Sequence, residues 1–313
     1  MKVYRKGTEL IYRHFNFVLH QGGLGDLIAG LPAIKFVLDF HKNIIINLYC
    51  HDYAVDLCTV VFQEYKNITI RGMSSYDKTV NESLPARSPY VHKISNLSMN
   101  MVDQAFLSMV GTIPEDKYKS YLKLDPIDVS HFNLPEKYAV VTTGFTSETR
   151  EWLPQSVNEV SDYLVAQGIT PVYIGKSYTK AYKDTGITGN FKADYTKGIN
   201  LIDKTNLFEA HSIMNDAVVT LGLDNGLMHL HSMGTGEAIW GFTTVRPEHR
   251  LPPNTNHLVV APTSEELSCI FCQSNMTFAT GEVCFTKCFY KDYKCLELMT
   301  SDKWIAKLKE LGI

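Results

Sequence analysis

No apolar run in this sequence reaches about 18 residues, the shortest that crosses a bilayer as a helix. No strong charge of one sign is present either. A formal net charge of −3 over 313 residues offers no whole-molecule field for a polyanion, although a local basic groove is compatible with it. The first residues, Met1 to Lys6, lack the apolar core of a secretory signal, so a cytoplasmic location is expected. Internal repeats and low-complexity tracts are absent. Cysteine is scarce outside one stretch. Cys50 and Cys58 stand alone in apolar surroundings and read as buried small residues, while the other five lie within residues 269–295. In a reducing compartment such crowding favours a metal site over disulfides.

What is present is an alternation of apolar strands and helices. Asn16–His20 predicts a strand, followed by a glycine-rich turn and a helix to about Phe40. Strands near 44–49 and 67–70 and helices near 53–63 and 99–110 complete a first half. The polar, serine-rich residues 71–97 read as an excursion that shapes a binding surface. Pro114, Pro126 and Pro135 mark residues 113–136 as a linker. The second half opens on the buried strand Tyr138–Thr143 and continues with a helix over 154–167 that stops at Gly168. Strands at 170–174, 200–202, 217–223 and 237–241, a helix at 207–215 and a tail helix over 301–311 follow. This pattern predicts an α/β protein of two Rossmann-like domains facing across a cleft, residues 1–125 and 136–313.

Two strand-to-helix turns carry the polar residues. In Gly22-Gly23-Leu24-Gly25-Asp26, the aspartate enters a helix, where it either caps the first turn or faces a ligand. The dinucleotide fingerprint G-x-G-x-x-G fails here because Ile28 takes the place of the third glycine, although Asp52 after the second strand could still meet a ribose. The second turn, Asp224-Asn225-Gly226-Leu227-Met228-His229-Leu230, follows a buried strand and delivers an Asp and a Gly to a helix N-terminus, an anion-receptive edge. The plainer alternatives are that Asp224 caps its helix, His229 is a satisfied core histidine, Glu209 is a solvated first-turn acid and Trp152 is packing.

Gly25-Asp26 with Leu31-Pro32-Ala33-Ile34-Lys35 resembles the N-terminal signature of glycosyltransferase family 9, the ADP-heptose heptosyltransferases. Asp224–Leu230 is similar to that family's Asp-Ser-Gly-Pro-Met-His-Leu-Ala segment. Arg150-Glu151-Trp152-Leu153-Pro154 resembles its Lys-x-Trp-Pro motif, Thr142-Thr143-Gly144 its phosphate loop, and Leu207-Phe208-Glu209 its Leu-x-Glu. The resemblance implies a GT-B fold whose C-terminal helix packs back toward the N-terminal domain. It also implies inverting transfer from a nucleotide sugar, UDP- or ADP-linked, with no catalytic cofactor and no metal at the sugar. The absence of any Asp-x-Asp agrees with the last point. Residues 138–245 are then expected to hold the donor and residues 1–112 to meet the acceptor. Asp26 is expected as the general base and Arg150 as the group that neutralises the departing diphosphate, helped by Thr142, Thr143, Gly144 and Thr146. Glu209 is expected at the ribose, with Gly25, Asp224, Asn225, Gly226 and His229 completing the donor site.

Departures from the family pattern put the donor sugar in question more than the reaction: Arg150 for Lys, Asn225 for Ser, Leu227 for Pro and His231 for Ala. The acceptor implied by the family is a lipopolysaccharide-core sugar. The alternative is a hydroxymethylated DNA base, as in phage-borne relatives, with Lys78, Arg87, His92 and Lys93 as the basic candidates. A non-catalytic sugar- or nucleotide-binding module is the reading from another class; the pairing of Asp26 with Arg150 argues against it. The cysteine-rich tail also resembles that of family members, which supports Cys269, Cys272, Cys288 and Cys295 as ligands of a structural zinc or iron, with Cys284 spare.

Overall fold

Among the described residues of the computed structural model, every strand pairing is parallel. The structure describes residues 14–19, 23–76, 90–91, 99–116, 121–143, 148–177, 195–252, 257–274 and 288–313. The chain divides into two compact units, Met1–Leu124 with Pro252–Asn254, and Asp125–Leu251 with Thr255–Ile313.

In the first unit, β1 (His14–Leu19) leads into α1 (Leu24–Phe40), then β2 (Ile45–Cys50), α2 (Val55–Val61), β3 (Ile68–Gly72), β4 (Tyr90–Val91) and α3 (Met101–Met109). The sheet runs β3-β2-β1-β4, so the strand order reverses at β1. Register pairs His14 with Ile45 through Leu19 with Cys50, which ends β1 and β2 level at the carboxyl edge. Helix α1 buries nearly every residue from Leu27 to Ile34. It packs on α3, where Phe36 meets Phe106 edge-on with centroids 5.7 Å apart. Burial on all sides explains why this helix carries no polar stripe. The helix expected near 53–63 begins as a 3-10 turn at Asp52–Ala54.

The second unit holds β5 (Tyr138–Thr143), α4 (Pro154–Ala166), β6 (Thr170–Gly175), β7 (Ile199–Asn200), α5 (Leu207–Asp216) and β8 (Val219–Leu223). It continues through α6 (Gly226–His231), β9 (Ala238–Gly241), α7 (Pro247–Arg250), β10 (His257–Val260), α8 (Lys294–Glu297) and α9 (Ser301–Glu310). The order β10-β9-β8-β5-β6-β7 makes this a doubly wound sheet with its switch point between β5 and β8. Both strands are buried along their whole length, as parallel strands covered on two faces must be. Strand β10 and the short helices α7 and α8 go beyond the sequence expectation. The linker region folds irregularly among its described residues, apart from a 3-10 turn at Ser130–Phe132, and the Ile127 amide donates to Ser212 Oγ of α5 at 2.7 Å.

The tail helix, expected to lie back toward the N-terminal domain, packs on α4 and β10 of the second unit. Its Trp304 is fully buried and stacks on Trp152 with centroids 3.9 Å apart at 21°. Trp152 Nε1 donates to Ser156 Oγ, which in turn donates to the Met299 carbonyl, and Tyr163 donates to the carbonyl of Ile313. Trp152 is therefore packing. Trp304→Ala is expected to lower stability by about 3–5 kcal/mol, the range for emptying a core tryptophan site. Urea unfolding measures it, and a loss below about 1 kcal/mol would show that the tail does not share the unit's core.

Candidate functional site

The carboxyl ends of β5 and β8 sit side by side at the switch point, the place where open α/β sheets bind ligands. Thr142 and Thr143 close β5 and are both buried. Gly222 on β8 is required there: a Cβ at that position would lie 1.9 Å from Thr142 Oγ1. After β8 the chain turns through Asp224 and Asn225 into α6. Asn225 is extended, and its Oδ1 accepts the amides of Leu227 and Met228 as an N-cap, while its Nδ2 donates to Thr142 Oγ1 at 3.0 Å. One side chain thus caps α6 and ties it to β5. Gly226 is the first residue of α6; Gly144 and Thr146 lie outside the described residues.

Asp224, expected from the sequence in the donor site, has both carboxylate oxygens engaged within the protein. It is 5% exposed. Its Oδ2 is 3.2 Å from Arg150 Nη1 and 3.7 Å from Arg250 Nε, and its Oδ1 is 3.3 Å from His229 Nε2. Arg150 also reaches the Asp224 carbonyl at 3.5 Å. Burial by itself raises the Asp224 carboxyl, but the hydrogen bond with His229 and the charges of Arg150 and Arg250 outweigh it and hold the group well below the usual carboxylate range. Arg150 arrives from the 3-10 turn Glu148–Arg150, pinned where Thr243 Oγ1 donates to the Thr149 carbonyl. His229 is buried, edge-on to Trp240. The structure brings Arg150 and His229 onto Asp224 and adds Arg250.

Arg250 belongs to none of the motifs, and the residues around it, Arg246 to Leu251, carry no pattern that pairs it with Asp224. The one usable signal is Pro247, which starts a short helix and so fixes where its last residue points. Glu209 closes a capping box instead of standing free. Its Oε2 accepts the Asn206 amide at 2.8 Å, and its Oε1 lies 3.5 Å from His131. In the first unit Asp26 occupies the first turn of α1, with Gly23 as N-cap, and its Oδ2 accepts the Gly23 amide at 2.8 Å. Gly25 beside it is buried. Capping thus takes one oxygen of Asp26, and among the described residues nothing bonds to the other. The basic candidates Lys78, Arg87, His92 and Lys93 lie outside the described residues.

Cys269, Cys272, Cys288 and Cys295 line one cavity, together with Thr149, Thr243 and Phe289. Burial, then the neighbouring Cys288 and Cys269, push the Cys295 thiol up to about 12. In kind this donor set fits zinc or iron, with four sulfur ligands drawn from two segments. In spacing it is not closed: among the described residues, no three cysteine, histidine or acidic side chains stand close enough together to hold a metal ion. Cys284 lies outside the described residues.

Two parallel α/β units, one with an arginine at its switch point, have the architecture of the GT-B class. The chain belongs to glycosyltransferase family 9 (heptosyltransferase), whose profile matches residues 69–267. No curated protein matches it in sequence. Among solved structures it is similar to the iron-containing dodecameric glycosyltransferase TibC of enterotoxigenic E. coli H10407, at 16% identity and a TM-score of 0.74, covering 97% of this chain and 77% of that one. The family 9 glycosyl transferase of Veillonella parvula follows at 13% and 0.67, covering 98% and 99%. The ADP-heptose lps heptosyltransferase II of E. coli matches at 13% and 0.62, covering 95% and 98%. Among the described residues no helix is long and apolar enough to cross a membrane.

Three further histidines are withdrawn from water in the second unit, His211 and His231 fully buried and His257 half-buried. Burial lowers His211 and His231 to about 4 and His257 to about 3; neighbouring rings add to the effect at His231 and His257. An unfolded histidine, near 6.5, takes up its proton first as pH falls. The stability tied to these neutral rings is therefore intact above pH 6.5 and is lost as pH drops toward 4, by up to roughly 1.4 kcal/mol per pH unit for each ring. A melting temperature that falls steadily between pH 7 and pH 5 is the expected result, and a flat profile would exclude it.

Proposed function

We propose that this family 9 glycosyltransferase moves a sugar, with inversion and without a metal at the reacting carbon, from a nucleoside-diphosphate sugar to an acceptor hydroxyl. The observation that carries this reading is Arg150, a permanently charged guanidinium held at the β5/β8 switch point by the buried carboxylate of Asp224. The acceptor oxygen attacks the anomeric carbon from the face opposite the diphosphate, and Asp26 takes the hydroxyl proton. The bond from the anomeric carbon to the diphosphate breaks, its electron pair stays on the phosphate oxygen, and Arg150 meets that charge with a forked donor. Asp26 suits the base role because the Gly23 amide fixes one of its oxygens and leaves the other for the proton. Asp224 and His229 act by orienting Arg150, and Thr142, Thr143, Asn225 and Gly226 shape the edge on which the diphosphate lies. Relatives crystallised with ADP-D-beta-D-heptose or ADP support an ADP-sugar over a UDP-sugar.

The four tail cysteines hold a structural zinc or iron in this reading, supported by their shared cavity and by the iron-containing TibC. The ion joins residues 269–272 to residues 288–295 and takes no part in sugar transfer. The free thiols elsewhere, Cys50 and Cys58, suit a reducing, cytoplasmic setting.

Asp26→Asn is expected to cut the turnover number by roughly 10²–10⁴-fold while leaving the Kd for ADP within about twofold. Surviving turnover would remove Asp26 from the base role. Arg150→Ala should instead weaken ADP binding about tenfold or more, read by calorimetry. Elemental analysis of protein purified without chelator should find about one zinc or iron per chain, lost together in a Cys269→Ser, Cys272→Ser double variant. Metal-free protein of full thermal stability would discard the metal centre.

A further inference from the structure

At the carboxyl edge of the first sheet, the turn that leaves β2 is braced from beneath and aromatic on top. Asp52 Oδ1 accepts both the amide and the hydroxyl of Ser74, at 3.2 and 2.8 Å, which locks the turn to the end of β3. Gly72 makes this possible: a Cβ there would lie 1.9 Å from that same oxygen. On the braced turn His51 and Tyr53 stack, centroids 5.2 Å apart and planes 11° off parallel. Tyr53 is nevertheless 56% exposed. Since His51 covers one face of the ring, that exposure belongs to the other face and its edges. An aromatic so presented on a rigid turn loses little entropy when something lies on it.

Its neighbour gives the surface a purpose. Strands β1 and β2 end level, Leu19 opposite Cys50, so the turn carrying Tyr53 emerges beside the chain that enters α1 with Asp26. We infer that Tyr53, backed by His51, is the platform on which the acceptor sugar ring lies, with Asp26 at its edge to receive the proton. This rests on the glycosyl-transfer reading above and adds the residue on which the acceptor ring lies. The Tyr53 hydroxyl is pushed up to about 12, first by partial burial and then by the charge of Asp26, so it stays protonated and donates. A pyranose matches these features: one ring face is C–H-rich and apolar, which suits an aromatic face, while its hydroxyls find a carboxylate acceptor and a phenol donor. A nucleobase would also stack, but it comes with a phosphodiester chain, and the charge felt by the Tyr53 hydroxyl is the carboxylate of Asp26, which repels a phosphate.

The test measures binding, so it does not depend on turnover. Methyl gluco-, manno- and galactopyranosides and 5-hydroxymethyl-2′-deoxycytidine are each observed by saturation-transfer NMR on the full chain, with ADP binding followed in parallel. At least one pyranoside should show transfer to its C–H face in the wild type. The signal should persist in Tyr53→Phe and fall at least fivefold in Tyr53→Ala, with the Kd for ADP unchanged within twofold in both. Equal signals in wild type and Tyr53→Ala, no signal from any pyranoside, or a Tyr53-dependent signal from the nucleoside alone would overturn the inference. No ADP binding by the wild type would count against the glycosyl-transfer reading instead.

Discussion

The second unit is organised around one buried charge. An isolated carboxylate taken out of water costs several kcal/mol, and only close opposite charge and full hydrogen bonding offset that cost. Asp224 receives both, from Arg150, Arg250 and His229. Attraction wins over desolvation, so the carboxyl stays ionised and the two guanidiniums stay where it holds them. Four pieces of chain that are distant in sequence thereby acquire a common reference point: the end of β8, the 148–150 turn, α6 and α7. In the proposed reaction a diphosphate approaching the switch point meets an arginine whose direction is already set, which is what electrostatic preorganisation requires.

Around that charge the sheet does the positioning. Parallel strands with a reversal in their order leave a crevice at the carboxyl edge, and both units build their polar turns there. In the second unit Asn225 joins the two sides of the crevice through Thr142, and Gly222 gives Thr142 room. In the first, level strand ends bring the β2 turn next to α1, and Gly72 lets Asp52 lock that turn. Each time a glycine in a strand serves a side chain from a neighbour, so its cause is invisible in the strand's own pattern.

Much of the fold could be read in advance, because buried parallel strands are continuous apolar runs and the helices between them end at recognisable stops. Tyr138–Thr143, Thr170–Gly175 and the strand before Asp224 are of this kind. Strand β10, only four residues long and partly exposed, carries too little apolar signal to be separated from loop. The tail helix was legible as a helix, but its destination was not: the stack of Trp304 on Trp152 joins residues about 150 positions apart. For the candidate site, the motifs named Asp26, Arg150, Asp224, Asn225 and His229 as expectations. They could not say which carboxylates would be consumed by the protein itself, as Asp224 and Glu209 are.

Sequence alone determined the alternation of strand and helix, the family and the chemical types at the two turns, since each of these follows from local propensity or from residues adjacent in the chain. Tertiary structure decided the rest: that Arg250 joins Arg150 on one carboxylate, that four thiols share a cavity, and that Tyr53 stands beside Asp26. These depend on distances across the sheet, where burial strengthens every charge and a single residue of register decides which side chains meet.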